Sequence, residues 1–235
     1  MWSGKMNVLY GKKISFTGDS ICEGVGHPGG YGKIIAERNS MEYQNLGVGG
    51  GTVAPNIYVN GKLRFCISES ISDMDIDSDY AIIEGGVNDA TYFLIDGAPR
   101  LGELTDGYSG PFDTSTYLGA FESMLRDLTV RFAGKKIGYI AVHQCAHAYR
   151  PEVVYGDDGN FYSAALRCCE KWGVPYLDLT STVPAMSFFR VKHEGTPELE
   201  VLSVENTKNN DGCHPNLAGY TNYYCDRIES WIKTL

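Results

Sequence analysis

The chain lacks the apolar segments that membrane insertion and secretion require. Its 235 residues contain no apolar run near the ~20 residues of a membrane-spanning helix. Residues 1–10 also lack the continuous apolar stretch and small-residue cleavage site of a secretory signal. We therefore expect a cytoplasmic protein with no membrane partner.

Paired cysteines and basic clusters are missing as well. The seven cysteines include no C-x-x-C pair, the pattern typical of zinc and redox sites, and reduced thiols are the expected state in the cytoplasm. The 20 lysines and arginines are scattered along a chain of formal net charge −9, whereas nucleic-acid binding needs clustered positive charge. These features predict neither a metal site nor a nucleic-acid partner.

The sequence has no internal repeat, and short apolar segments alternate with segments of helical periodicity. This alternation predicts a single α/β domain over residues 1–235, with a parallel sheet covered by helices on both faces. Ligands of such sheets bind beyond the carboxyl ends of the strands. We interpret 96–115 and about 184–212 as loops, with 201–204 able to pair locally. The predicted strands are 13–17, 42–46, Tyr80–Ile83, Ile137–Val142 and Val174–Asp178, and the predicted helices are Tyr31–Arg38, Thr116–Leu128, 160–172 and Pro215–Trp231.

A serine, an aspartate and a histidine stand where this fold brings loops to one edge. Ser20 follows the first predicted strand, and Asp211 and His214 precede the last predicted helix. A serine hydroxyl is a strong nucleophile only when a base takes its proton, and the base works best when a third group orients it. The spacing of Asp211 and His214 lets the carboxylate hold one imidazole nitrogen while the other faces Ser20. We therefore predict Ser20 as nucleophile, His214 as base and Asp211 as orienting group.

Attack on an ester carbonyl also needs hydrogen-bond donors for the charge that develops on the oxygen. Three donors are available: the Ser20 amide at a helix start, the unshielded amide of Gly50 and the side-chain amide of Asn88. Gly47 is an alternative to Gly50.

Four blocks of the sequence resemble those of the SGNH hydrolases, also called the GDSL esterase and lipase family. They are G18-D19-S20, N45-L46-G47-V48-G49-G50, G86-V87-N88-D89 and D211-G212-C213-H214-P215, in the family's order. The resemblance implies a three-layer α/β/α sandwich with a five-stranded parallel, flavodoxin-like sheet. It implies the same roles for Ser20, His214 and Asp211, with an oxyanion hole of Ser20, Gly50 and Asn88, and the distance from Asn45 favours Gly50 over Gly47.

Neighbouring residues have simpler interpretations. Asp19 and Asp89 are expected to bond backbone amides at turns. Cys22 and Cys213, close in sequence to Ser20 and His214, are expected to be buried, inert thiols.

Two further motifs match known patterns incompletely. The string G24-V25-G26-H27-P28-G29 has the spacing of a dinucleotide fingerprint, but six residues separate it from the preceding strand. His143 and His147 have the spacing of a zinc-binding helix, but H-Q-C-A-H lacks the glutamate base and follows a strand. We predict no cofactor and no metal, and we assign His143 only to the lining of a substrate pocket.

Together these features predict a serine esterase that acts through an acyl-enzyme on short acyl esters. O-acetyl groups on carbohydrates or similar small polar alcohols are favoured, because the edge loops carry few contiguous aliphatic side chains. A non-catalytic carbohydrate-binding module and an acyl-thioesterase or lysophospholipase-type activity are the alternatives. Aromatic rings predicted near the edge suit either a sugar face or core packing; they are Tyr92, Phe93, Tyr108, Phe112, Tyr149 and Tyr155.

Overall fold

A computed structural model describes residues 7–92, 101–143, 161–183 and 206–235. Its centre is a five-stranded parallel sheet in the order β2-β1-β5-β6-β7. The strands are β1 (Lys13–Thr17), β2 (Glu42–Asn45), β5 (Tyr80–Glu84), β6 (Lys136–Ala141) and β7 (Tyr176–Asp178), and Tyr58–Val59 (β3) pairs with Lys62–Leu63 (β4) in a separate antiparallel hairpin.

Six helices connect or cover these strands in the described part of the chain. Side chains cap the starts of three of them, and Asp19 caps the first by accepting a hydrogen bond from the Ile21 amide at 2.9 Å. Thr116 accepts a hydrogen bond from the Gly119 amide at 3.2 Å, and Asn216 accepts one from Gly219 at 3.0 Å. The helices are α1 (Ser20–Glu23), α2 (Gly30–Asn39), α3 (Val87–Tyr92), α4 (Tyr117–Arg131), α5 (Phe161–Trp172) and α6, which runs through Leu217–Gly219, the π-helical Tyr220–Cys225 and Asp226–Ile232. Short 3₁₀ helices occupy Ile67–Asp73 and Lys208–Asn210.

The sheet carries a hydrophobic core on each face, because side chains alternate along a strand. In β5, Ala81 and Ile83 pack into a core with α4 and α5, whereas Tyr80 and Ile82 pack into a second core with α2 and α6. Each fully buried aliphatic or aromatic side chain contributes about 1.5–3 kcal/mol. The result is the three-layer α/β/α sandwich with a parallel, flavodoxin-like sheet, as predicted.

The predicted strands and helices are present with end points shifted by a few residues. The hairpin of β3 and β4 was not predicted. Its turn is formed by Asn60 and Gly61, which have φ values of +53° and +73°, and an Asn-Gly pair is typical of the type I′ turn, which requires positive φ at both residues. The segment 201–204, predicted to pair locally, lies outside the described residues. None of the helices described is both long and apolar enough to cross a bilayer.

Candidate active site

Ser20 lies on a sharp turn between β1 and α1, at the carboxyl edge of the sheet. The Asp19 side chain accepts a hydrogen bond from the Ile21 amide at 2.9 Å, and the helix ends after one turn at Gly24, whose φ is +91°. Ser20 is 7% exposed. Its backbone amide has no hydrogen-bond acceptor among the described residues, as expected for the first residue of a helix.

A chain of hydrogen bonds joins Ser20 to the loop that precedes α6. Ser20 Oγ is 2.8 Å from His214 Nε2, and His214 Nδ1 is 2.6 Å from Asp211 Oδ2. The other Asp211 oxygen, Oδ1, accepts hydrogen bonds from the amides of Cys213 and His214, both at 2.9 Å. Burial acts to raise the pKa of Asp211, but these bonds, led by that from His214, hold it below its ordinary value. Asp211 therefore stays ionised and aligns the imidazole with Nδ1 as donor and Nε2 free to accept.

The loop carrying His214 is held against the glycine-rich segment after α1. Lys208 Nζ donates to the Val25 carbonyl at 2.9 Å, and the Lys208 amide donates to the His214 carbonyl at 2.8 Å. A methyl group on Gly26 would lie 2.0 Å from the Pro215 carbonyl oxygen, so only glycine allows the two backbones to touch. The apparent dinucleotide fingerprint thus supplies a packing surface for the His214 loop.

The two glycines considered as amide donors differ in their contacts. The Gly47 amide donates to Asn45 Oδ1 at 2.9 Å, and a methyl group there would lie 2.4 Å from the Glu23 nitrogen, so Gly47 packs against α1. Gly50 has a φ of +76°, and its amide makes no hydrogen bond to any described residue. Of the two, only Gly50 has an amide available to a ligand.

Asn88, at the start of α3, connects the Gly50 loop to the Ser20 turn. Its Nδ2 donates to the Gly51 carbonyl at 2.9 Å and lies 3.4 Å from Asp19 Oδ2. The second contact is long for a hydrogen bond, so one amide hydrogen is only weakly engaged. Asn88 is 7% exposed, at the same depth as Ser20.

Asp89 holds the segment that follows Gly50 by side-chain hydrogen bonds. It is fully buried and accepts hydrogen bonds from the Val53 and Ala54 amides at 2.9 Å each. Burial raises its pKa to about 7, against the lowering effect of these amides. The predicted turn-bonding roles of Asp19 and Asp89 are therefore confirmed.

A buried pair of carboxyl groups lies directly behind Ser20 and was not anticipated. Glu84, the last residue of β5, is fully buried and packs against Gly18 and Asp19. Burial, followed by the neighbouring Asp19 carboxyl, raises the pKa of Glu84 well above its usual range, and burial also raises that of Asp19 to about 6. Neither Glu84 oxygen has a hydrogen-bond partner among the described residues, and a proton on Glu84 avoids placing two buried negative charges side by side behind the Ser20 turn. In the sequence, the feature that could have indicated this pair is an acidic residue, Glu84, at the end of the otherwise uncharged strand β5.

The structure also describes most of the histidines and cysteines that the sequence analysis discussed. His143 is 1% exposed, with Nδ1 2.5 Å from the Tyr224 hydroxyl, and its contact with substrate stays a prediction. His147 lies outside the described residues. Cys22 is a buried free thiol whose pKa burial raises, as expected, but Cys213 is disulfide-bonded, so the prediction of a free thiol there was wrong.

Two of the aromatic residues assigned to the edge pack elsewhere. Tyr108 and Phe112 contact Trp172 of α5, with ring centroids 5.2 and 5.9 Å apart. The same cluster contains the fully buried Glu122, which accepts hydrogen bonds from Lys171 and from Trp172 Nε1. These rings anchor the described part of the 96–115 loop to the helical layer, which favours the packing interpretation over a sugar-binding face. Phe93, Tyr149 and Tyr155 lie outside the described residues.

A known protein family matches most of the chain. The model of the GDSL-like lipase/acylhydrolase family matches residues 16–221, a range that includes all four sequence blocks. No curated protein matches the chain in a sequence search.

Solved structures share the fold at low sequence identity. A protein from Lactobacillus plantarum is 21% identical, with a TM-score of 0.69 over 96% of this chain and 98% of that chain. A family two carbohydrate esterase from Clostridium thermocellum, solved as an active-site mutant, is 12% identical, with a TM-score of 0.59 over 95% of this chain and 63% of that chain. An acetyl xylan esterase from Geobacillus stearothermophilus is 17% identical, with a TM-score of 0.58 over 97% of each chain. At these identities the likeness establishes the fold alone.

Proposed function

Since the chain belongs to the GDSL-like lipase/acylhydrolase family, we propose that it is a serine esterase that hydrolyses short-chain acyl esters through an acyl-enzyme. The observation that carries the proposal is the chain of hydrogen bonds from Ser20 Oγ through His214 to Asp211, at 2.8 and 2.6 Å. The first distance lies within the range in which a base can take the proton of a serine nucleophile, and the second within that in which a carboxylate can orient the base.

In this mechanism, Ser20 Oγ attacks the ester carbonyl while its proton passes to His214 Nε2. Asp211, held ionised by its hydrogen bonds, stabilises the imidazolium that forms. The alcohol leaves with the proton from Nε2, and the acyl group stays on Ser20. Water then attacks the acyl-enzyme, with His214 again accepting a proton and Ser20 recovering its own.

The oxyanion of each tetrahedral intermediate is assigned to three donors. The Ser20 and Gly50 amides have no competing acceptor among the described residues. Asn88 Nδ2 supplies the hydrogen that now makes only the long contact of 3.4 Å with Asp19. Removing one such donor typically costs ~10²–10³ in kcat.

We place the substrate among O-acetyl esters of carbohydrates or of similar polar alcohols. The side chain that packs directly beside Gly50 supports a small polar substrate, because it is that of Arg64, whose guanidinium lies over the Tyr92 ring. Two of the structures that share the fold are a carbohydrate esterase and an acetyl xylan esterase.

Ester hydrolysis by the wild type and by Ser20→Ala tests the proposal. With p-nitrophenyl esters and acetylated sugars, we expect activity that is highest for acetyl, falls with acyl length and disappears in Ser20→Ala. The Ser20 hydroxyl bonds only His214 among the described residues, so the variant should keep the wild-type melting temperature. Ser72→Ala, which removes an exposed hydroxyl on the 3₁₀ helix, is the matched control. Full activity in Ser20→Ala would refute the nucleophile assignment, and a preference for long acyl chains or thioesters would refute the substrate class.

A further inference from the structure

An arginine that forms no ion pair with any described residue lies beside Gly50. Arg64 follows the β3–β4 hairpin, and its Nη1 lies 2.9 Å from the position that a methyl group on Gly50 would occupy. Its guanidinium carbon is 5.4 Å from the centre of the Tyr92 ring, at the end of the helix that begins beside Asn88. The cation is therefore wedged between the two elements that present Gly50 and Asn88.

The guanidinium is left with unused hydrogen-bond donors. Within the described ranges, the Arg64 side chain makes neither a hydrogen bond nor an ion pair, and its Nε is buried without an acceptor. The two Nη nitrogens of Arg64, in contrast, are not fully buried. A guanidinium offers five donors suited to two oxygens of one carboxylate or phosphate, and desolvating part of it without a partner is unfavourable.

The cation of Arg64 lies in a protein whose net charge is negative. The protein as a whole carries a formal net charge of −9, which disfavours the approach of anions. Glu23, an acidic residue at this edge, packs against Gly49 and forms no ion pair with Arg64. No described residue neutralises this positive charge, which is thus available to a ligand at the Gly50 side of Ser20.

We propose that Arg64 binds an anionic group of the substrate, a carboxylate in the first instance, close to the ester that Ser20 attacks. This inference rests on the proposed esterase function and narrows its substrate to esters that carry a negative charge near the scissile bond. The carboxylate can belong to the alcohol, as in an O-acetylated sugar acid, or to the acyl part, as in a monoester of a dicarboxylic acid. Both sources present the same two oxygens to the guanidinium.

The test compares anionic and neutral esters of matched size in the wild type and in Arg64→Gln. One pair varies the alcohol, with an acetylated uronic acid against its neutral acetylated hexose. The other varies the acyl part, with a p-nitrophenyl hemisuccinate against p-nitrophenyl butyrate. We expect the wild type to prefer the anionic member of at least one pair by about 10- to 100-fold in kcat/KM. That preference should shrink as ionic strength rises.

Arg64→Gln should abolish the preference, because it lowers kcat/KM far more for the anionic ester of a pair than for its neutral partner. Lys62→Gln removes the same charge from the same hairpin without contact to Gly50 and should keep the preference. No preference in either wild-type pair, or an equal loss on charged and neutral esters in Arg64→Gln, would overturn the inference. Either result would still leave Ser20-dependent ester hydrolysis in place, whereas failure of the wild type to hydrolyse any of these esters would contradict the proposed function.

Discussion

The contact between Gly26 and Pro215 gives a quantitative test of how the His214 loop is positioned. In Gly26→Ala, the new methyl group would lie 2.0 Å from the Pro215 carbonyl oxygen and 2.9 Å from that of His214. Separations under 3.0 Å are essentially never observed, so one backbone must retreat by about 1 Å. Both contacts are with main-chain atoms, which cannot rotate away as a side chain can.

The expected effect is larger on catalysis than on stability. A displacement of that size would stretch the Ser20–His214 contact from 2.8 Å to beyond hydrogen-bonding distance. Misplacement of a reacting group by 1 Å costs about 10²-fold in rate, whereas overpacking costs about 1–3 kcal/mol of stability. We therefore expect kcat to fall by about 10²-fold and the melting temperature to fall by about 2–10 °C, given a few degrees per kcal/mol for a chain of this size.

The assay is steady-state hydrolysis of p-nitrophenyl acetate, well below the melting temperature of the variant, with the folded fraction measured by circular dichroism. Gly107→Ala is the control, because a methyl group there would have no heavy atom within 4 Å, and it should match the wild type. Wild-type kcat and melting temperature in Gly26→Ala would show that the loop contact does not position His214.

Three other expectations concern charged groups. Asp211→Asn should lower kcat by about 10³–10⁴-fold with little change in the melting temperature, because an amide cannot hold His214 in the required tautomer; a loss below tenfold would mean that another group orients the ring. Glu122→Gln should cost about 1–3 kcal/mol in urea unfolding, since Lys171 loses the carboxylate but keeps its hydrogen bonds to Thr105 and Gly107, while kcat stays unchanged. The pKa of Asp89 in the native state is raised to about 7. Between about pH 4 and pH 7 the native state therefore keeps a proton on Asp89 that the unfolded state releases. The contribution of Asp89 to the free energy of unfolding should fall as pH rises through this range. The unfolding free energy of wild type minus Asp89→Asn should decline over that interval and then level off; a rise would contradict the direction of the pKa shift.

The fold was predictable because its strands are short apolar runs and its helices are amphipathic. The strand at 13–17 matches β1 residue for residue, since Lys12 and Gly18 bound the run on either side. The start of α6 was placed two residues early, at Pro215. The structure begins the helix after Asn216, whose side chain satisfies the first free amides. Two-residue strands such as β3 are too short for any periodicity to indicate them.

The site residues that were predicted belong to short sequence motifs, whereas the residues that were not predicted belong to none. Asp211 and His214 are three positions apart, so their mutual contact follows from turn geometry. Glu84 and Arg64 meet Gly18 and Gly50 only through the tertiary fold, and a single sequence contains no spacing that indicates those contacts. The disulfide state of Cys213 was missed for the same reason.

Ser20 and His214 stand 194 positions apart in the chain and meet at 2.8 Å. The Tyr220 hydroxyl of α6 donates to the Ile21 carbonyl of α1 at 2.8 Å, so the last helix contacts the helix that begins with Ser20. With the roles proposed here, no portion of the chain that ends before residue 214 contains both the nucleophile and its base. We therefore expect any chain that ends before residue 214 to be inactive toward esters, and the return of ester cleavage during refolding to report the docking of the His214 loop against the Ser20 turn.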